Sequence, residues 1–107
     1  MNVTTNNELK STIGLSGLYY VMDPEIGLNI VDLGLIYEIQ FDEDKHLITV
    51  IMTLTTQFCP MGESIVDATT QAMQERFQDY EINVKLTFNP PWNPDMISEE
   101  GNEFLNA

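Results

Sequence analysis

Cysteine and histidine each occur once in the 107-residue chain, as Cys59 and His46. A lone cysteine can form no disulfide within its own chain, and in a reducing compartment its thiol stays free for packing, metal binding or chemistry. One cysteine also supplies only a quarter of the four ligands that a structural zinc site takes. Basic residues are nearly as scarce: Lys10, Lys45, Arg76 and Lys85 stand against seventeen Asp and Glu, a formal net charge of −13. A surface that holds nucleic-acid phosphates needs Lys or Arg to replace their counterions, and anionic membranes repel an acidic face, so neither partner is expected. The acids serve solubility or face a partner with a basic docking surface. No run approaches the ~20 apolar residues of a membrane span, and residues 1–10 hold no basic cluster leading into an apolar stretch. The expected location is cytoplasmic.

What is present suits a folded domain. Hydrophobic residues make up 43% and charged residues 20%, which is an ordinary globular balance, and the length allows one modest core. One domain over residues 1–107 is expected. No repeat or low-complexity segment appears, and prolines at Pro24, Pro60 and from Pro90 to Pro94 divide the chain.

Asn7 to Met22 reads as a marginal helix with Leu9, Ile13, Leu18 and Val21 at mostly helical spacings, weakened at Gly14 and Gly17 by about 1 kcal/mol each. Pro24 forbids its continuation, and Asp23-Pro24-Glu25 reads as a cap and a reversing turn. Leu35 to Phe41 and His46 to Leu54 form an antiparallel hairpin around Asp42-Glu43-Asp44-Lys45, with Ile48, Val50 and Met52 on its apolar face. A helix from about Gly62 to Gln78 carries the stripe Ile65, Ala68 or Thr69, Ala72 or Met73, and Phe77, with Glu63, Asp67, Glu75 and Arg76 outward. A third strand, Glu81 to Phe88, has Ile82, Val84, Leu86 and Phe88 on one face. The tail from Trp92 contains two short-helix starts, Asn93-Pro94-Asp95 and Ser98-Glu99-Glu100. The order α-β-β-α-β plus short C-terminal helices predicts an α+β fold, a small mixed sheet of at least three strands with two main helices on one face.

Cys59 is the first candidate for chemistry. It follows a strand and precedes the clearest helix, so its sulfur is expected beside the unpaired N–H groups of the first helical turn, a setting that favours a thiolate. Glu63 and the acidic field oppose this, and a cysteine packed in the interior is inert. A thiol hydrolase would need a base, but His46 and Thr53 lie at opposite ends of one strand, about 23 Å apart at ~3.3 Å per residue, against a catalytic contact of ~3 Å. His46 therefore reads as an exposed hairpin residue. Iron–sulfur clusters take four ligands, mostly thiolates, so any cluster on Cys59 must share ligands with another chain, a small thiol or a client, and must be labile. Asp23, Glu25 and Asp32 form a second candidate group, for which capping and turn formation compete with hard-metal binding; a Ca²⁺ site needs six to eight oxygens. Trp92 either closes the core edge or faces a partner.

The stretch Asp23-Pro24-Glu25-Ile26-Gly27-Leu28-Asn29-Ile30-Val31-Asp32-Leu33-Gly34-Leu35-Ile36-Tyr37 resembles the signature of the iron–sulfur cluster assembly domain found in PaaD and SufT proteins and in the eukaryotic cytosolic iron–sulfur targeting factor. Met52 to Met61 resembles the loop that presents that family's reactive cysteine, and Pro91-Trp92 with Met96-Ile97-Ser98 resembles its C-terminal motif. The resemblance spans nearly the whole chain. It implies an α+β fold and a non-enzymatic role in iron–sulfur (metal–sulfur) cluster assembly or maturation, with iron–sulfur clients or scaffolds as partners, a homodimer being possible. Cys59 matches the functional cysteine, Asp23 the acidic residue of the first motif, and Thr53 and Thr55 the polar residues leading to the thiol; Glu25, Asp32, Pro60 and Trp92 complete the motif set. The implied cofactor is a transient cluster with shared ligands, not a tightly bound group. The alternatives are an adaptor that binds no cluster and a thiol-dependent enzyme. Phe58 departs from the family, which often has a small residue before the cysteine.

Overall fold

The structure, a computed structural model, describes residues 3–107; residues 1 and 2, which the one-domain expectation includes, lie outside them. It is an α+β fold. Four strands, β1 (Thr4–Thr5), β4 (Ile36–Asp42), β5 (Leu47–Met52) and β6 (Glu81–Leu86), form a mixed sheet in the order β1-β4-β5-β6. The β4–β5 hairpin is antiparallel, and β1 and β6 join it in parallel. A separate two-stranded ribbon pairs β2 (Met22–Asp23) with β3 (Leu28–Asn29). The helices are α1 (Glu8–Leu18), α2 (Gly62–Arg76) and α3 (Glu99–Leu105), with a single 3₁₀ turn at Pro94–Met96.

Alternation in β5 works as the sequence suggests: Ile48, Val50 and Met52 are fully buried while Thr49 and Ile51 are half-buried. Helix α2 lays Ile65, Thr69, Met73 and Phe77 on this face at four-residue intervals, one above the other. Phe77 meets Phe41 edge to face with centroids 5.6 Å apart. Strand β6 stops at Leu86, short of the expected Phe88, and these two residues are 43% and 37% exposed.

Helix α1 departs from its expected stripe. It ends at Leu18, four residues before Met22, and Leu9 and Ile13 are 74% and 41% exposed. Its packed face is instead Ser11, Gly14, Gly17 and Leu18. The reason is closeness to α2: a Cβ on Gly14 would lie 3.1 Å from the Met73 thioether, and one on Gly17 would lie 3.2 Å from Arg76 Cγ. The two glycines that lower helix propensity are what allow the helices to approach.

Away from the core, Lys10 Nζ donates to both oxygens of Glu43, at 2.8 and 3.0 Å, and to the Tyr80 hydroxyl at 2.7 Å. This ties α1 to the β4–β5 turn. His46 stands in that turn, not at the strand start, with φ of 49° and its ring stacked on Tyr80. Hydrogen bonds from Lys10 and then Tyr80 hold the Glu43 carboxyl below its ordinary range, and Glu43 and Tyr80 raise Lys10. A depressed carboxyl contributes stability above its unfolded pKa and loses it as pH falls through the folded value. Glu43→Gln is therefore expected to lower the melting temperature at neutral pH, with the difference from wild type closing in acid. Melting curves across pH check this; a gap that persists when Glu43 is protonated would contradict it.

Candidate functional site

The loop between β5 and α2 is built by short-range bonds. Thr53 is buried and its N–H donates to Leu35 O, extending the ladder past β5, and Leu54 is buried after it. The chain then leaves the sheet: Cys59 N–H donates to Thr56 O at 3.3 Å, Phe58 N–H to Thr56 Oγ1 at 3.2 Å, and Gly62 N–H to Cys59 O at 3.2 Å. Gly62 opens α2 against the core, where a Cβ would come within 2.7 Å of Leu54 Cδ1. Cys59 is thus fixed at the junction, half-buried, its body against the core. Thr55 is half-buried and Pro60 exposed. Phe58 is 81% exposed and swings out to solvent.

The polar neighbour of the thiol is Glu25, whose Oε1 lies 3.9 Å from Sγ. Glu25 stands 34 residues from Cys59 in the chain. Glu25 reaches that point on the β2–β3 turn. Asp23, only 1% exposed, builds the turn: its Oδ1 accepts from the N–H groups of Glu25 at 2.9 Å and Ile26 at 3.3 Å, and its carbonyl accepts from Gly27 at 2.8 Å. Gly27 closes it at φ of 80°, in the left-handed region.

Asp23, Glu25 and Asp32 do not converge. Asp23 is consumed by the turn and Glu25 faces Cys59, while Asp32 anchors the C-terminal segment, accepting from Ser98 Oγ at 2.8 Å and from Asn29 Nδ2 at 2.7 Å. Ser98 N–H also donates to Asp32 O, and Trp92 Nε1 to Leu33 O at 2.7 Å, so half-buried Trp92 closes the core edge. Among the described residues no three His, Cys, Asp or Glu side chains are grouped to hold a metal ion.

A groove of about 1290 Å³ runs between the open sheet face and this C-terminal segment, lined by Glu38, Tyr37, Ile51, Asp95 and Met96 among others. Cys59 and Glu25 are not part of its lining. The groove and the thiol are therefore separate places on the surface. In the groove, burial raises the Tyr37 phenol above its ordinary range, partly offset by the Thr53 hydroxyl, and the phenol donates to Pro90 O at 2.9 Å.

A thiol and a carboxylate side by side offer one soft and one hard donor. Two donors are fewer than the four that a structural zinc or an iron–sulfur cluster takes. The sequence family described as iron–sulfur cluster assembly protein matches residues 15–87, a span that holds both residues.

This chain belongs to that family.

Among iron–sulfur cluster assembly proteins, it is 45% identical over 80 residues to the Fe-S protein maturation auxiliary factor SufT of Staphylococcus aureus (strain USA300), covering 73% of this chain and 88% of the relative. It is 40% identical over 90 residues to the Fe-S protein maturation auxiliary factor YitW of Bacillus subtilis (strain 168), covering 84% and 86%. The crystal structure of a DUF59 domain from Bacillus anthracis superposes with a TM-score of 0.85 at 32% identity, covering 92% of this chain and 93% of that one.

The sequence reading named Glu25 but assigned it to a group apart from Cys59. It named Phe58, 81% exposed, only as a departure from the family, and assigned no role to Met61 on the Cys59 loop and Ile26 on the Glu25 turn, which are 39% and 38% exposed. Phe58 and Met61, large apolar residues on either side of Cys59, were the available signal.

Proposed function

We propose that the chain is a cytoplasmic, non-enzymatic maturation factor, acting as one domain, that engages iron–sulfur clusters in transit to client proteins through Cys59. Membership of the assembly family and the maturation roles named for its relatives support this reading. The observation that carries it is the placement of the sole cysteine, half-buried on a loop with its thiol turned to the Glu25 carboxylate at 3.9 Å. The cluster is cargo. Cys59 supplies one thiolate, and the client, scaffold or a small thiol supplies the others, which keeps binding labile enough for transfer. No helix of the described residues is long and apolar enough to cross a membrane, and the cytoplasm keeps such a thiol reduced.

Anaerobic reconstitution with iron and sulfide in the presence of a small thiol tests this. Wild type is expected to take up iron and sulfide, and Cys59→Ala to take up little of either, with both melting alike. Equal uptake by the two removes the carrier role.

A second reading, an adaptor that recruits clients without touching iron, is favoured by the 81% exposure of Phe58 beside the thiol, since a large exposed apolar group marks interaction surfaces when others flank it. It requires full client maturation by Cys59→Ala and its loss in Phe58→Ser. A thiol hydrolase is disfavoured because His46 is engaged with Tyr80 in the hairpin turn.

A further inference from the structure

The two edges of the sheet are treated differently. At one edge, β4 is covered by the short β1, and the Asn6 side chain continues the ladder, its Oδ1 accepting from Phe41 N–H at 2.9 Å and its Nδ2 donating to Phe41 O at 2.8 Å. Such cover removes the unpaired groups that invite another strand. At the other edge, the six residues of β6 pair with β5 alone.

The bonds to β5 fix which groups of β6 are free. Glu81 N–H donates to His46 O and Thr87 N–H to Met52 O, so odd-numbered residues point their main-chain groups at β5 and Ile82, Val84 and Leu86 point theirs outward. Side chains alternate on the same period. Ile82 and Val84 lie half-buried on the helix side with Leu86 beyond them, and Glu81, Asn83 and Lys85 share the opposite face.

We propose that β6 is a homodimerisation strand, pairing antiparallel with β6 of a second copy about a two-fold axis at Asn83. In that register Ile82 opposes the partner's Val84, and each pair exchanges both main-chain bonds using the outward groups. Glu81 opposes the partner's Lys85, and Asn83 opposes its own counterpart. These last pairs do not exchange main-chain bonds, so their side chains approach most closely. Only the Asn83-centred register places the opposite charges in register twice. Lys85 supplies the second argument: among the described residues the one salt bridge is Lys10–Glu43, so Lys85, like Lys45 and Arg76, makes none there, and it is the one of these three that lies on the open edge strand. The pairing also continues the Ile82, Val84 and Leu86 row across two copies.

Sedimentation velocity on the whole protein tests this, at an ionic strength giving a Debye length of about 8 Å or less so that the −13 of each copy is screened. Wild type is expected to be a dimer. Lys85→Glu sets like charges opposite each other twice and is expected to weaken association roughly tenfold or more, and adding Glu81→Lys is expected to restore it. Val84→Pro removes an outward N–H while leaving the β5 ladder its donors, and is expected to give a folded monomer, checked by circular dichroism. A monomeric wild type, or a dimer indifferent to Lys85→Glu and Val84→Pro, overturns the proposal. A weakened dimer that the charge exchange fails to restore overturns the Asn83 register.

Discussion

Gly34→Ala is expected to destabilise the protein by about 2–5 kcal/mol, combining left-handed backbone strain with overpacking. Gly34 sits at φ of 81° between β3 and β4, and a Cβ there would lie 2.3 Å from Met96 O and 2.9 Å from Met96 Cβ. The obstacle is backbone, so no rotamer change relieves it. The C-terminal segment must lift instead, and with it go the bonds from Trp92 to Leu33 O and from Ser98 to Asp32. Denaturant unfolding measures the loss, and Trp92 fluorescence should shift toward that of a wet indole already in the folded state. Stability within about 0.5 kcal/mol of wild type, the range of neutral surface changes, would show that the segment is not held against Gly34.

Asp23→Ala is the second large effect, expected at about 1–3 kcal/mol because the buried Asp23 carboxylate is the acceptor of two part-buried hydrogen bonds, from the N–H groups of Glu25 and Ile26. Its functional consequence is separate. The Asp23 carboxylate holds Glu25 and Ile26 in the turn that faces Cys59, so the variant should alter the alkylation rate of Cys59 at temperatures where the fold is intact. Asp23→Asn keeps an oxygen acceptor and is expected to recover most of both properties. An unchanged alkylation rate in a folded Asp23→Ala would mean that the turn does not govern the thiol's surroundings, leaving Asp23 with stability alone.

Legibility in the sequence followed the range of the interactions involved. The β4–β5 hairpin and α2 were readable because Ile48, Val50 and Met52, and Ile65 and Phe77, repeat at the periods of strand and helix. Strands β1, β2 and β3, of two residues each, were not, since they exist only where distant partners supply the ladder. The α1 face misled for a different reason: apolar pattern points to large side chains, whereas Gly14 and Gly17 face Met73 and Arg76 because they are small.

The candidate site divides the same way. The segment around Cys59, between a strand and a helix, could be marked from local pattern and from its resemblance to an assembly family, as could the acidic turn at Asp23. That Glu25 meets the thiol, that Asp32 leaves its neighbours to anchor Ser98, and that β6 keeps a free edge depend on how the β2–β3 ribbon and the C-terminal segment pack on the sheet. The sequence by itself determined the elements, the charge and the single sulfur, because spacing and composition act over a few residues. Tertiary structure alone decided which carboxylate faces that sulfur, because main-chain bonds between segments far apart set the turn that carries it.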